Sequence, residues 1–172
     1  MMSVNNSSRP LGLMEPHLID DLAYKETFYW WHRVRRHNLF RLLSAGIGPS
    51  AKVLEIGCGW GGFAEYAARR GMRVTGLTLS VEQLAYARER LARAGLSDRV
   101  QLELCDYRDC TVVADHVVSI EMFEAVGQAY WNDYFATLRR CLRPGGRVAL
   151  QVITIDEGEF DAYASNPGGF IQ

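Results

Sequence analysis

Val53-Leu-Glu-Ile-Gly-Cys-Gly-Trp-Gly-Gly-Phe63 joins a short apolar run to a helical pattern through four glycines. Glycines allow backbone angles that other residues resist, and they let a ligand approach the main chain. The helix predicted next, at about 62 to 70, directs its free N–H groups to the same place. Glu55 stands near the carboxyl end of the preceding strand, where open α/β sheets bind ligands. We therefore predict a nucleotide-type binding turn here.

The same glycines also fit the G-x-G-x-x-G pattern of dinucleotide-binding proteins. Those proteins carry Asp or Glu at the end of the second strand, about 20 residues later, to hold a ribose. Here the second predicted strand runs into Thr78-Leu-Ser80, which contains no carboxylate, so NAD is disfavoured. A carboxylate two residues before the first glycine, as Glu55 is, suits a ligand with an ammonium group. S-adenosylmethionine (SAM) carries such a group.

Short apolar runs alternate with helical patterns along the rest of the chain. This alternation predicts an α/β fold with a doubly wound, mostly parallel sheet. Arg143-Pro-Gly-Gly146 is interpreted as the turn before the fifth strand. The predicted strands are 52 to 56, 73 to 77, 100 to 104, 115 to 119 and 147 to 154, and the predicted helices are 62 to 70, 81 to 94, 130 to 141 and 157 to 163.

The first 46 residues divide into two parts. Residues 1 to 12 are rich in Ser and Asn and are expected to be a disordered lead, and residues 13 to 46 are expected to be an N-terminal helical segment. Within residues 28 to 43, aromatic and apolar side chains are interleaved with arginines, which predicts an amphipathic helix with a basic face. Two interpretations stay open. The helix packs on the sheet with solvated arginines, or it holds the protein at an anionic membrane surface.

Composition limits the classes of function. A chain of 172 residues, 48% hydrophobic and 23% charged, fits one α/β domain. We expect a cytoplasmic protein, peripheral at the inner membrane surface if residues 28 to 43 bind there, because the amino terminus lacks an apolar signal segment. The net charge of −1 does not indicate a nucleic-acid partner. The four cysteines have no C-x-x-C spacing, and the histidines have no metal-ligand spacing, so we expect no metal.

Four motifs in order resemble the cyclopropane-fatty-acyl-phospholipid synthase family, which includes the mycolic acid cyclopropane synthases. They are residues 55 to 62, 74 to 83, 106 to 109 and 119 to 127. The resemblance covers about residues 47 to 172 and implies a Rossmann-like class I SAM methyltransferase core. Related synthases continue beyond the position of Gln172 with further strands that complete the sheet. The resemblance therefore implies that this chain lacks the last strands. The implied reaction transfers a methyl or methylene group from SAM to the double bond of unsaturated phospholipid acyl chains.

The resemblance assigns the residues of a donor site. Glu55 would hold the ammonium group of SAM, and the backbone of Gly57, Cys58 and Gly59 would lie along the ligand. Asp106 would accept a hydrogen bond from the adenine amino group. The other implied positions are Thr78, Leu79 and Gln83 near the ribose and adenine, Tyr107 stacked on the base, and Ile120 at the end of the fourth strand.

The resemblance also places Glu124 in the active site, where the family's glutamate orients a bound bicarbonate. Attack of an alkene on the donor methyl leaves a carbocation, which a positioned anion stabilises and bicarbonate can deprotonate. Phe123 and Tyr130 are candidates for aromatic walls around this charge, with core packing as the open alternative.

Two departures from the family bear on the reaction. Residues 1 to 46 contain no cysteine, although related synthases supply one from a Tyr-Ser-Cys segment, and Gln151 stands where they have histidine. Glutamine is not a base, but it can hold an anion by hydrogen bonds. Plain methyl addition therefore stays open. So do SAM-dependent methyl transfer to a small amine or phenol, and SAM binding without catalysis.

Overall fold

The computed structural model describes residues 34, 37 to 39, 41, 48, 50 to 160 and 162. The expected disordered lead and most of the expected N-terminal helical segment lie outside these residues. The described positions from 34 to 41 are helical, and Leu39 packs in a buried cluster with Val53 and Phe63. Of the two interpretations of the amphipathic segment, packing on the sheet requires such a contact. Among the residues described, no helix combines the length and apolar character needed to cross a bilayer.

In the described part of the chain, five parallel strands form one sheet. They lie in the order β3-β2-β1-β4-β5, so the direction of strand addition reverses between β1 and β4. The doubly wound parallel sheet predicted from the alternation is confirmed. The strands are β1 (Lys52–Ile56), β2 (Arg73–Thr78), β3 (Val100–Leu104), β4 (Ala114–Ile120) and β5 (Leu142–Gln151).

Strands β1 and β4 are buried on both faces, as their apolar runs require. In β1, Leu54 and Ile56 pack on one face of the sheet, and Val53 packs on the other. In β4, Val117 and Val118 are divided between the same two faces. The sheet therefore needs helices on both sides.

Within residues 50 to 160, three α-helices contribute to this cover, in addition to the helical positions around Leu39. They are α1 (Gly62–Ala68), α2 (Val81–Arg93) and α3 (Trp131–Arg140). Phe63 of α1 packs on the face that carries Val53, while Tyr134 of α3 packs on the opposite face. The α2 helix packs beside α1 and over Leu102 of β3. Ser80 caps α2, because its hydroxyl accepts a hydrogen bond from the Gln83 amide at 3.1 Å.

The bounds predicted for the fifth strand were wrong. β5 begins at Leu142, five residues before the predicted start, and ends at Gln151. The turn residues 143 to 146 lie inside it as an excursion, since Ala114 pairs with Leu142 and His116 pairs with Arg147. A Cβ at Gly146 would lie 2.4 Å from the Asp115 carbonyl oxygen, so only glycine fits there. The turn chemistry was recognised, but the strand pairing before it was not.

The last predicted helix, at 157 to 163, was also wrong in its first turn. Residues Glu157–Glu159 form a 3-10 turn instead of an α-helix. The Asp156 side chain accepts from the Gly158 amide at 2.9 Å, which satisfies a donor at the start of this turn. Phe160 and Ala162 are helical, and the other positions after 160 lie outside the described residues.

Candidate active site

The candidate site lies at the carboxyl ends of β1 and β4, where the strand order reverses. Open α/β sheets bind their ligands at such a point. The β1 strand passes into the glycine turn, defined here as residues 57 to 62. The β4 strand ends at Ile120 and is followed by the 3-10 turn Phe123–Ala125, which carries Glu124. Because β1 and β4 are hydrogen-bonded neighbours, these two segments face one crevice.

The glycine turn adopts the backbone that its sequence predicts. Gly57, Gly59 and Gly61 have φ angles of +79°, +51° and +81°, in the left-handed region that favours glycine. A Cβ on Gly57 would lie 2.9 Å from Met122 Cγ, whereas a Cβ on Gly59 would meet nothing within 4 Å. The turn is thus packed against the chain at Gly57 and open at Gly59, which leaves room for a ligand beside the main chain there.

Hydrogen bonds hold the turn against the end of β2. The amides of Gly57 and Cys58 both donate to the Leu77 carbonyl oxygen, at 3.0 and 2.8 Å. The Cys58 side chain is buried among residues of α2. The sequence motif therefore provides a rigid turn in which Cys58 contributes packing and backbone.

Glu55, the predicted ammonium-binding residue, is 2% exposed near the end of β1. Its register pairs it with Gly76 on one side and Val118 on the other. Burial of a carboxylate costs free energy unless hydrogen bonds or a positive charge compensate it. Its place at the carboxyl end of β1, next to the glycine turn, is compatible with the predicted role, and the contact with an ammonium group stays a prediction.

The end of β2 brings two predicted residues together. Thr78 Oγ1 donates to Gln83 Oε1 at 3.0 Å and accepts from the Ser80 amide at 3.2 Å. Leu79 lies between them in sequence and is 68% exposed, which is high for a leucine next to a buried strand. This geometry fits the predicted ribose and adenine side of the site, and the contacts with a ligand stay a prediction.

Asp106 and Tyr107 follow β3 as predicted, but both are engaged within the chain. The Asp106 carboxylate accepts from Arg108 Nη2 at 2.6 Å and from Arg108 Nε at 3.0 Å. The hydrogen bonds and charge of Arg108 hold the pKa of Asp106 below its usual value, although burial opposes them. The Tyr107 ring is 9% exposed and packs edge-to-face on Tyr134. Stacking on adenine stays a prediction, which requires this ring to turn out of the core.

Glu124 lies between the ends of β4 and β5. Its Oε1 atom accepts a hydrogen bond from the Ile153 amide. Its Oε2 atom is buried, and no residue that the structure describes gives it a hydrogen-bond partner. The carboxylate is thus anchored at one oxygen and retains capacity to accept further donors.

The predicted aromatic walls differ in environment. The Phe123 ring centroid lies 5.2 Å from both the Trp131 and Tyr134 centroids, within an aromatic cluster. Tyr130 is exposed, and the Arg108 guanidinium lies 5.7 Å from its ring centroid. Phe123 therefore fits the core-packing alternative, while Tyr130 already faces a cation of the chain.

Residues 35 to 172 match the sequence model of the family described as mycolic acid cyclopropane synthetase. The chain belongs to this family. It is 47% identical over 141 residues to the tuberculostearic acid methyltransferase UfaA1 of Mycobacterium tuberculosis, across 80% of this chain and 33% of that protein. It is 43% identical over 106 residues to the cyclopropane-fatty-acyl-phospholipid synthase of Escherichia coli K12, across 61% of this chain and 27% of that protein.

A solved structure supports the fold. The geranyl diphosphate C-methyltransferase of Streptomyces coelicolor A3(2), in complex with Mg²⁺, geranyl-S-thiolodiphosphate and S-adenosyl-L-homocysteine, superposes with a TM-score of 0.65 and 27% identity. The match covers 70% of this chain and 44% of that chain. The class I SAM methyltransferase fold implied by the four motifs is thereby confirmed. The chain spans about a third of the length of the curated relatives that it matches.

In this member of the cyclopropane synthetase family, Gln151 forms two hydrogen bonds with Glu121. Its Nε2 atom donates to Glu121 Oε1 at 3.0 Å, and the Glu121 amide donates to the Gln151 carbonyl oxygen at 2.9 Å. Glu121 has a φ of +49°, an uncommon conformation for a residue other than glycine. The departure at Gln151 is therefore accompanied by a carboxylate that fixes the amide at the crevice.

Sequence reasoning missed the support under the glycine turn. Arg90 Nε donates to Glu65 Oε2 at 2.6 Å, and Arg90 Nη1 donates to the Trp60 carbonyl oxygen at 3.4 Å. Burial by itself would raise the pKa of Glu65, but the hydrogen bonds and charges of Arg90 and Arg69 outweigh it and lower that pKa. No local pattern indicates this contact, since Arg90 reads as a helix surface residue 25 positions after Glu65.

Proposed function

We propose that this family member is a SAM-dependent methyltransferase that alkylates the double bond of an unsaturated acyl chain in a lipid. The observation that carries the proposal is the meeting of the open glycine turn and Glu124 at the β1–β4 crevice. The names of two relatives, a tuberculostearic acid methyltransferase and a cyclopropane-fatty-acyl-phospholipid synthase, support a lipid acceptor. The solved relative that holds S-adenosyl-L-homocysteine supports SAM as donor.

The donor site uses the residues at the ends of β1 and β2. SAM, when bound, supplies an electrophilic methyl group. Glu55 would hold its ammonium group, since this carboxylate lies at the carboxyl end of β1 next to the glycine turn. The open side of Gly59 lets the main chain approach the ligand, and Thr78 with Gln83 offers hydroxyl and amide groups for a ribose.

Glu124 would act on the acceptor side. Attack of the alkene on the methyl would form a carbon–carbon bond as the carbon–sulfur bond breaks, which releases S-adenosylhomocysteine and leaves the positive charge on the other alkene carbon. A fixed carboxylate near that charge lowers the barrier by electrostatic stabilisation. Because a carboxylate accepts about four hydrogen bonds and Ile153 supplies one, Glu124 can also orient a bicarbonate that takes the proton.

The product depends on which proton leaves. Loss from the added methyl group closes a cyclopropane ring, and loss from an adjacent chain carbon leaves a methyl branch on a double bond. Gln151 cannot accept either proton, and its amide is held by Glu121. The chain's own residues thus supply anion binding at this edge of the crevice, and both products are compatible with the proposed alkylation.

Incubation with methyl-labelled SAM and vesicles of a dioleoyl phospholipid tests the proposal, with a panel of small amines and phenols in parallel. We expect label in the lipid fraction, and at least about a tenfold loss with Glu124→Gln, which keeps the shape but removes the charge. Label found only in amines or phenols would reject the lipid acceptor. SAM binding without any transfer would reject catalysis.

Co-sedimentation with anionic and with neutral dioleoyl phospholipid vesicles tests membrane contact through residues 28 to 43. Arginine-to-glutamine changes in that segment should reduce binding to anionic vesicles and leave neutral vesicles unaffected. Equal binding of the unaltered chain and the arginine-to-glutamine variants to anionic vesicles would contradict the contact.

A further inference from the structure

Two buried hydroxyl groups lie near the turn that carries Glu124. Ser119 lies on β4, and its side chain points to the same face of the sheet as Val117, the face on which α3 packs. Tyr134 lies on α3 and is 0% exposed. Its ring is enclosed by other aromatic rings, with the Phe123 centroid at 5.2 Å and the Phe135 centroid at 5.4 Å. Packing alone would be served by phenylalanine here, so the hydroxyl requires another explanation.

The polar atoms of this group are left without hydrogen bonds in the described part of the chain. Five buried side-chain atoms there have no partner, and three of them are Ser119 Oγ, Tyr134 Oη and Glu124 Oε2. A buried polar atom without a partner costs free energy, and native proteins seldom retain three together unless they serve one another. Their chemistry is complementary, because two hydroxyls can donate and the carboxylate can only accept.

The Tyr134 ring contacts the ring of Phe123, the residue before Glu124, and it packs on the sheet face that carries Val117 and Ser119. Burial raises the pKa of Tyr134, the charge of Glu124 raises it further, and the Ser119 hydroxyl lowers it as a hydrogen-bond donor would. The phenol therefore stays protonated and available to donate. Hydrogen bonds among the three groups require small side-chain rotations, which pair two donors with an acceptor that has no other partner among the described residues.

We propose that the Tyr134 hydroxyl is a positioning group for Glu124, donating to the carboxylate oxygen that Ile153 does not engage, while Ser119 donates to Tyr134. The inference rests on the proposed function in one respect, that Glu124 acts on the acceptor. With one oxygen held by Ile153 and the other by Tyr134, the carboxylate keeps a single orientation towards the crevice. Ser119 is a second positioning residue, acting through Tyr134.

A melting-temperature cycle tests the contact without any need for activity. Tyr134→Phe should lower the melting temperature by about 3 °C in the unaltered chain, as loss of one buried hydrogen bond does in a protein of this size. In a Glu124→Leu background the same change should have no effect or raise the melting temperature, because the acceptor is already gone. Equal shifts in both backgrounds would overturn the proposal. Tyr66→Phe removes a hydroxyl on α1 and should give the same shift in both.

Kinetics test the positioning role. Tyr134→Phe should lower kcat by about tenfold and leave KM for SAM unchanged, since the donor site is not altered. Ser119→Ala should give a smaller loss of the same kind. An unchanged kcat, or a loss confined to KM, would overturn positioning by Tyr134. Inactivity of the unaltered chain on every acceptor would reject the proposed function instead, and the melting cycle would still decide whether Tyr134 contacts Glu124.

Discussion

Gly59→Ala tests whether the open side of the glycine turn is where the donor binds. Gly59 has a φ of +51°, and a Cβ built there meets no atom of the chain within 4 Å. The left-handed conformation should cost a non-glycine residue about 1 to 2 kcal/mol. For a chain of this size that corresponds to a melting temperature lower by about 2 to 8 °C. The new methyl group projects into the space that the ligand would occupy.

Gly95→Ala is the matched control. Gly95 follows α2, has a φ of +68°, and likewise has no atom within 4 Å of a built Cβ. Both variants should lose about the same stability, about 1 to 2 kcal/mol in urea or thermal unfolding. In calorimetric titration with S-adenosylhomocysteine, only Gly59→Ala should lose affinity, by at least about tenfold or 1.4 kcal/mol. Equal affinity of the two variants would refute the placement of the donor at this turn.

Three further changes test other contacts. Glu55→Gln should weaken SAM binding in the same titration by about 10- to 100-fold, since a hydrogen bond to a charged group contributes about 1.5 to 3 kcal/mol, and unchanged binding would remove Glu55 from the site. Ser80→Ala removes the acceptor for the Gln83 amide and should lower the free energy of unfolding in urea by about 1 kcal/mol. The pKa of Glu65 is depressed in the folded chain, so its pairing stabilises the fold above the usual value of 4.5 and is lost as pH falls below it. Arg90→Met should therefore destabilise the chain more at pH 7 than at pH 3, and an equal effect at both would contradict the pairing.

Features that depend on neighbouring residues were predictable from the sequence. The glycine turn follows from glycines in the left-handed region next to an apolar strand. The contact of Thr78 with Gln83 spans five positions across a strand end and a capped helix start, so the local pattern already brings the two side chains together. The parallel sheet follows from the alternation of short apolar runs and helical patterns, because each crossover returns the chain in the same direction.

Features that depend on distant residues were not predictable. Leu142 reads as the end of a helix, and only its pairing with Ala114 makes it the start of β5. Tyr107 follows a strand end in a motif, but the sequence does not state whether its ring faces the crevice or packs on Tyr134. The Glu65–Arg90 pair joins two helices whose relative position is set by packing. Local patterns place side chains along the chain, and tertiary contacts decide which of them meet.

The excursion at residues 143 to 146 separates the first residue of β5, Leu142, from the part of the strand that reaches the crevice. It lies at the amino-terminal edge of the sheet, while the register from His116–Arg147 to Ile120–Gln151 runs unbroken to the crevice. Extra residues placed between Pro144 and Gly145 would lengthen a surface loop and leave the spacing of Ile120 and Gln151 untouched. A reporter peptide could therefore be carried at that position, at the end of β5 opposite to the one that faces the donor turn.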